Sequence, residues 1–421
     1  MFSITTRKKI IDVGQSFGGL LIAVIFQVIS FVLLTRTLGV SSFGIFISAV
    51  AFGLALSELI GLGAGENFIR VAARNKQHSA AAFRHGLRLI FVTFFLLVLP
   101  LAPLAAWLLT SNDMIWLIAA LIATEATITR TAIYCEHIYL GLQDYKLMAA
   151  ARILLPALRC IAFLVVIFAF GITDMKSLII TQIAATFAAA FLMLLHLFIL
   201  IPSNEDTGSL KKEKKNWLSF GIPVAIANLQ RGIQFHGDKY LVTLVAGPEV
   251  GGVYAAGFRL IQMALLPIQA YARTTYSGFF AAGQAGIGST ITYAKSIARP
   301  LVYISIFSSA SAFIGAYFVV LLLGEDYVSA SFVVKALAPV LIFWAFQYLL
   351  TDILMGAEHV WARIWVSMAA NIFALGLLAT LASTYGLSGV ILAVLLSTLF
   401  FVVLLALTIR WLSYRTKRDQ T

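Results

Sequence analysis

The sequence predicts an all-α polytopic membrane protein of about twelve transmembrane helices, arranged as two six-helix bundles. Three observations predict it. The 421 residues are 61% hydrophobic and only 11% charged, whereas about a quarter of a soluble domain is charged. Apolar runs of about 20 residues, the length that crosses a bilayer, recur along the chain between short polar breaks. The charge of those breaks alternates from one to the next.

The runs place helices near 14–37, 43–65, 86–109, 114–140, 150–171 and 177–201, then near 217–246, 252–281, 300–323, 331–355, 364–384 and 388–411. One set of breaks carries "TRKK", Arg70, Arg74, Lys76, Arg84, Arg88, Lys146, Arg152, "KKEKK" at 211–215, Lys295, Arg299, Arg363 and the basic tail. The other set is polar or acidic, and only Arg36 and Lys176 add positive charge there. Positive charge marks the cytoplasmic side, so both termini and the mid-chain break are expected in the cytoplasm. The first apolar stretch is too long for a cleaved leader and reads as a retained helix. The net charge of +12 fits cytoplasmic loops rather than a nucleic-acid partner.

The stretch 202–216 is the longest polar segment. It reads as a cytoplasmic linker between an N-terminal bundle, 1–201, and a C-terminal bundle, 217–421. A repeat supports the division. "LGVSSFGIF" at 38–46 aligns with "AGPEVGGVY" at 246–254, pairing Gly39 with Gly247 and Gly44 with Gly252. "YLGLQDY" at 139–145 parallels "LMGAEHV" at 354–360, and "FGI" at 170–172 parallels "YGL" at 385–387, at one common offset.

Several chemistries lack support. Cys135 and Cys160 fall in apolar runs, so neither a disulfide framework nor a metal site is expected. "GQAGIGST" at 283–290 lacks the lysine ending of a phosphate-binding loop. No extramembrane segment is long enough for a catalytic domain, and no nucleophile–base pairing stands out. No enzyme activity and no cofactor are expected.

The charges inside the spans carry the functional reading. An ionised side chain at mid-bilayer costs at least ~2.5–3.5 kcal/mol, so such groups face protein or a wet cavity. In "NLQRGIQFHGDKY", Asn228, Arg231, Gln234 and Asp238 step by three, three and four, which is one face of a helix. The next span repeats the pattern with Arg259, Gln262, Gln269 and Arg273, the arginines about 21 Å apart by helical rise. Helix four carries Glu125, Thr129 and Glu136 on one face and Arg130, Tyr134 and His137 on another, and helix two carries Glu58. Lys239, Lys335 and Asp352 sit where a charge can snorkel to an interface. Glu125 and Arg130 fit either a cavity lining or structural pairing. A stripe richer in arginine than in acid suggests an anionic cargo, because the planar guanidinium grips phosphate with two hydrogen bonds.

"LLTRTLGVSSFGIF", the 219–260 segment and "YGLSGVILAVLLS" at 385–397 resemble the polysaccharide-transport flippases of the multidrug/oligosaccharidyl-lipid/polysaccharide exporter superfamily. The resemblance spans nearly the whole chain. It implies two six-helix bundles in a V shape, alternating access, a basic cavity and a lipid-diphosphate-linked oligosaccharide as cargo, as in O-antigen or exopolysaccharide assembly. It also implies an inner-membrane location and a glycan polymerase or chain-length regulator as partner. On this reading Arg231, Arg259, Arg273, Gln234, Gln262 and Gln269 bind cargo and Asp238 couples an ion, with no metal required. The competing reading is a cation-coupled exporter of small molecules, and a third is a non-transporting scaffold for glycan assembly.

Overall fold

The computed structural model describes residues 4–74, 78–110, 113–201 and 210–418, and among these every regular element is a helix. The chain forms two compact units, Met1–Tyr240 and Leu241–Thr421.

The first unit opens with α1, Ile4–Ser57, which is broken at Gly39. Then come α2, Ala64–Arg74, and α3, Ser79–Leu109. Next are α4, Ile115–Gly141, α5, Tyr145–Ala169, and α6, Met175–Leu200. The polar helix α7 runs from Leu210–Gly232 through a π-turn at Ile233–Gly237 into Asp238–Ala246, and its residues from Leu241 on count with the second unit. The basic run 211–215, expected in a linker, is thus already helical, in keeping with the helix propensity of Lys and Glu. Residues 202–209 of that expected linker lie outside the described residues.

The second unit holds α8, Pro248–Ala264, and α9, Leu266–Gly283, which meet at a 43° bend. It continues with α10, Ile287–Leu323, then α11, Glu325–Leu337, and α12, Val340–Gly356, which meet at 48°. It ends with α13, Val360–Arg418, broken at Gly386. By length and apolarity seven of the described helices can cross a membrane, or nine if each bent pair is one span. The breaks in α1 and α13 divide each into two of the expected helices. With the polar α7, all twelve expected helices have a counterpart, two of them bent rather than straight.

The repeat in the sequence recurs as backbone geometry. Gly39 has φ 68°, ψ 173°, and Gly247 has φ 92°, ψ 163°. Each breaks a helix in a conformation that glycine adopts without a Cβ penalty. Gln143 and Glu358, at matched positions, are both left-handed, with φ 63° and 60°. The bonds around them also match, with Asp144 N–H donating to the Tyr139 carbonyl and His359 N–H to that of Leu354. Gly171 and Gly386 share positive φ as well.

α6 shows which solvent the protein is built for. Its buried positions, Leu178, Gln182, Ala185, Ala189 and Met193, are apolar apart from Gln182, whose amide donates to Glu125. Its outward stripe holds Ile180, Phe187, Phe191 and Leu195, with Phe191 64% exposed. An exposed stripe of large apolar side chains suits hydrocarbon and not water.

Candidate functional site

The first unit holds two buried polar networks. One is centred on Glu125, which is fully buried beside the π-turn Thr124–Ile128 of α4. Its Oε1 accepts from Arg159 Nη2 at 2.8 Å and Gln182 Nε2 at 2.7 Å, and its Oε2 accepts from Thr129 Oγ1 at 2.9 Å. Arg159 also donates to Thr129 Oγ1 at 2.8 Å and to Thr186 Oγ1 at 2.9 Å. Both carboxylate oxygens are therefore satisfied, and α4, α5 and α6 are bound together by charge. Of the two readings open for Glu125, this geometry is structural pairing.

The second network surrounds the gap between α1 and α2. "ELIGLGAG" ends the helix because Gly61, Leu62 and Gly63 all take positive φ, at 77°, 46° and 70°. For Leu62 that conformation is strained, by about 1–2 kcal/mol. Neighbours hold it in place. Gly61 N–H donates to Thr93 Oγ1 of α3 at 3.0 Å, and Asn67 Nδ2 donates to the Trp217 carbonyl of α7 at 3.3 Å. A Cβ at Gly221 would stand 2.2 Å from the Leu62 carbonyl oxygen, so α7 lies directly on the broken backbone.

Charges flank this break on both sides. Glu58, before it, accepts from Arg130 Nη1 of α4 at 3.0 Å. Glu66, after it, accepts on Oε1 from Asn228 Nδ2 of α7 at 3.0 Å. Asn228 Oδ1 in turn accepts from Arg231 Nη2. His137 packs its ring on Gly65, where an added Cβ would lie 2.5 Å from Nδ1. Arg130 is 94% buried by its 6% exposure, yet its Nη2 has no hydrogen-bond partner among the described residues, and neither has Glu66 Oε2.

Of the residues singled out in the sequence, Arg231 is exposed and Gln234 half-buried on α7. The stripe does not continue to Asp238. The π-turn inserts one residue, which turns everything after it by about 100° relative to Arg231. Asp238 instead accepts from Lys239 Nζ at 3.1 Å. Lys239 is itself buried and also donates to the Phe235 carbonyl at 2.6 Å, so it does not snorkel. Lys335 lies over the Tyr317 ring at 3.8 Å, a cation–π contact rather than a free head group, and Asp352 is buried.

In the second unit Arg259, Gln262 and Gln269 are half-buried and Arg273 is exposed. Gln269 Nε2 donates to Tyr348 Oη at 3.0 Å. The two arginines lie on opposite sides of the Leu265 bend, on α8 and α9, so the straight-helix spacing does not describe them. Glu66, Arg159 and Gln182 were missed. Glu66 falls just past the end of the helix expected near 43–65, and nothing local announces that Arg159 and Gln182 meet Glu125.

These features define a class, a multi-pass membrane protein with charge networks buried among lipid-facing helices. A multidrug resistance MATE family transporter of the MOP superfamily, inward-facing, is similar over 94% of this chain and 95% of its own, with 16% identity and TM-score 0.77. A MATE in complex with MaL6 is similar over 97% of each chain, with 16% identity and TM-score 0.64. A MOP superfamily transporter from Pyrococcus furiosus, described as having reversed pocket polarity and a suggested different function, has 16% identity and TM-score 0.63, over 97% of this chain and 95% of its own. The fold is therefore that of MOP-superfamily transporters. Residues 12–276 match the family described as "Polysaccharide biosynthesis protein", and the chain belongs to that family. No curated protein matches it.

Proposed function

We propose that the protein is a flippase that carries a lipid-diphosphate-linked oligosaccharide from the cytoplasmic to the outer leaflet by alternating access. The observation that carries this reading is the family match over residues 12–276, which favours a role in polysaccharide biosynthesis over drug efflux. The arginines supply the chemistry. Arg231 and Arg273 are exposed cations on helices of a membrane protein, and each of them, like Arg259, suits a phosphate group, which arginine binds with paired hydrogen bonds. Gln234, Gln262 and Gln269 offer neutral hydrogen bonds to sugar hydroxyls. The basic breaks favour an orientation with both termini in the cytoplasm, and the function proposed here calls for the inner membrane. A glycan polymerase or chain-length regulator would take the product.

The MATE neighbours favour a second reading, cation-coupled export of small molecules. In cells lacking the gene, Arg231→Ala, Arg259→Ala and Arg273→Ala should lose surface glycan while the protein stays in the membrane. Lysine variants should restore part of it, because they keep charge and lose the fork. Surface glycan at the wild-type level in the triple alanine variant, or drug resistance without any glycan phenotype, would favour the second reading.

A further inference from the structure

We propose that a groove at the basic end of the second unit, between α10, α12 and α13, binds an anionic phospholipid of the surrounding leaflet. An acyl chain lies along the groove and the phosphate rests on Arg410. The proposal does not depend on what the protein transports.

The groove has a volume of about 680 Å³, within the ~300–1,000 Å³ of sites that hold a small ligand. Three helices line it. α12 contributes Leu350 and Ile353, and α10 contributes Ile291. α13 contributes Ala406, Leu407, Arg410, Trp411 and Tyr414, whose spacing of one, three, one and three puts them on one helix face. The start of α10 and the ends of α12 and α13 therefore meet at the end that carries the basic breaks, with Lys295, Arg363 and the basic tail. Apolar surface alone would not set this place apart from the exposed stripe of α6. A concave surface with a cation at its mouth does.

That cation is open. Arg410 is exposed and makes no hydrogen bond or ion pair among the described residues. No acidic side chain lines the groove, and Asp352, next to Ile353, is buried in α12. Lys295, one turn along α10 from Ile291 on the same face, is a second exposed cation. From Arg410 to Arg418 the chain carries Arg410, Arg415, Lys417 and Arg418 and no acid. A guanidinium on apolar surface with no carboxylate beside it calls for an anion, and phosphate oxygens match its planar fork. A headgroup that brings its own ammonium is repelled by this excess of positive charge, whereas an anionic one is drawn to it.

The rings fix the depth. Trp411 and Tyr414 are 57% and 70% exposed and stand where the last apolar run gives way to the basic tail. Rings with an apolar body and a polar tip settle at the headgroup level of a bilayer. Arg415 lies over the Trp411 ring at 5.5 Å, which steadies the ring at the rim. The mouth of the groove thus lies at headgroup depth and Leu407 and Leu350 at acyl depth. That order matches a lipid. A peptide would bring backbone groups to walls that offer them almost no partners.

Native mass spectrometry of the full-length protein, released from detergent micelles with added phosphatidylglycerol or phosphatidylcholine of equal chain length, tests the site. Wild type should retain phosphatidylglycerol over phosphatidylcholine. Arg410→Ala should weaken phosphatidylglycerol by about fivefold or more, the equivalent of the ~1 kcal/mol that one basic residue contributes at an anionic surface, and leave phosphatidylcholine unchanged. Ala406→Trp, which fills the groove, should weaken both. Arg415→Ala should cost less than Arg410→Ala, because Arg415 sits on Trp411 and does not line the groove. Equal retention of the two lipids overturns the proposal. So does an equal loss in Arg415→Ala and Arg410→Ala, which would mean attraction by the tail's charge alone. Polyprenyl diphosphate that displaces phosphatidylglycerol at equal concentration would make the groove a cargo site, and a dimer broken by Ala406→Trp would make it a contact between copies; either result overturns the proposal. Should Ala406→Trp fail to fold, Arg410→Glu at its exposed position decides, and phosphatidylglycerol retained there as in wild type overturns it.

Discussion

Arg159→Ala is the sharpest probe of how the first unit is held together. The guanidinium supplies hydrogen bonds to Glu125, Thr129 and Thr186 at 2.8, 2.8 and 2.9 Å. Removing it leaves the Glu125 carboxylate, which has no exposed surface, with only Gln182 and Thr129 as donors. Breaking a buried pair by deleting one partner costs ~3–5 kcal/mol. At about 2 °C per kcal/mol for a long chain, the apparent melting temperature should fall by ~6–10 °C. Heating in detergent followed by gel filtration reads this directly. Glu125→Leu combined with Arg159→Met removes both charges, keeps much of the volume, and should recover most of the loss. The cycle should therefore be non-additive, with a coupling of about 2 kcal/mol or more. A loss below about 1 kcal/mol for Arg159→Ala, or strict additivity in the double variant, would refute the argument that the network is a closed charge cluster.

Three other predictions concern the backbone and its caps. Gly221→Ala puts a Cβ 2.2 Å from the Leu62 carbonyl oxygen, a backbone atom that cannot rotate away. It should cost about 1–3 kcal/mol and speed hydrogen exchange at Gly61–Asn67; unchanged exchange there would show that α7 does not rest on the break. Gly376→Ala in α13 meets no atom within 4 Å and should be neutral or stabilise by up to about 1 kcal/mol, read as the melting temperature. Asp174 caps α6, and its carboxyl is held below the usual carboxylate range by the Ser177 backbone N–H. A depressed folded-state value means the cap contributes above the unfolded carboxylate range and is lost as pH falls through the folded one. The stability gap between wild type and Asp174→Ala should therefore close on acidification below about pH 4 and persist at pH 7.

The helices were legible because a bilayer demands long apolar runs, and nothing else in the chain competes with that signal. The repeat was legible because glycine is favoured where φ turns positive, as at Gly39 and Gly247. What stayed hidden was local winding and long-range pairing. Residues 233–237 carry no mark of a π-turn, yet that one inserted residue takes Asp238 off the face of Arg231. The 43° bend at Leu265 was signalled by Pro267, which removes a helix hydrogen bond, but the expected helix 252–281 was drawn straight through it. Arg159 and Glu125 are 34 residues apart and meet only in the packed unit. Glu66 was missed because the helix expected near 43–65 ends just before it, whereas the glycines of "GLGAG" break that helix and let α7 lie against the break. Charge spacing thus exposed the stripe through Arg231, while its connection through Asn228 to Glu66 needed the fold.

The central claim, lipid-linked glycan transport, is tested most directly by reconstitution. Purified protein in liposomes carrying a polyprenyl-diphosphate-linked oligosaccharide with a fluorescent sugar should make label on the inner leaflet accessible to an external quencher, at a rate that scales with protein. The Arg231→Ala/Arg259→Ala/Arg273→Ala variant should fall to the rate of empty liposomes. Wild-type protein that moves no label above that background, yet extrudes a cationic dye from the same liposomes, would contradict the account.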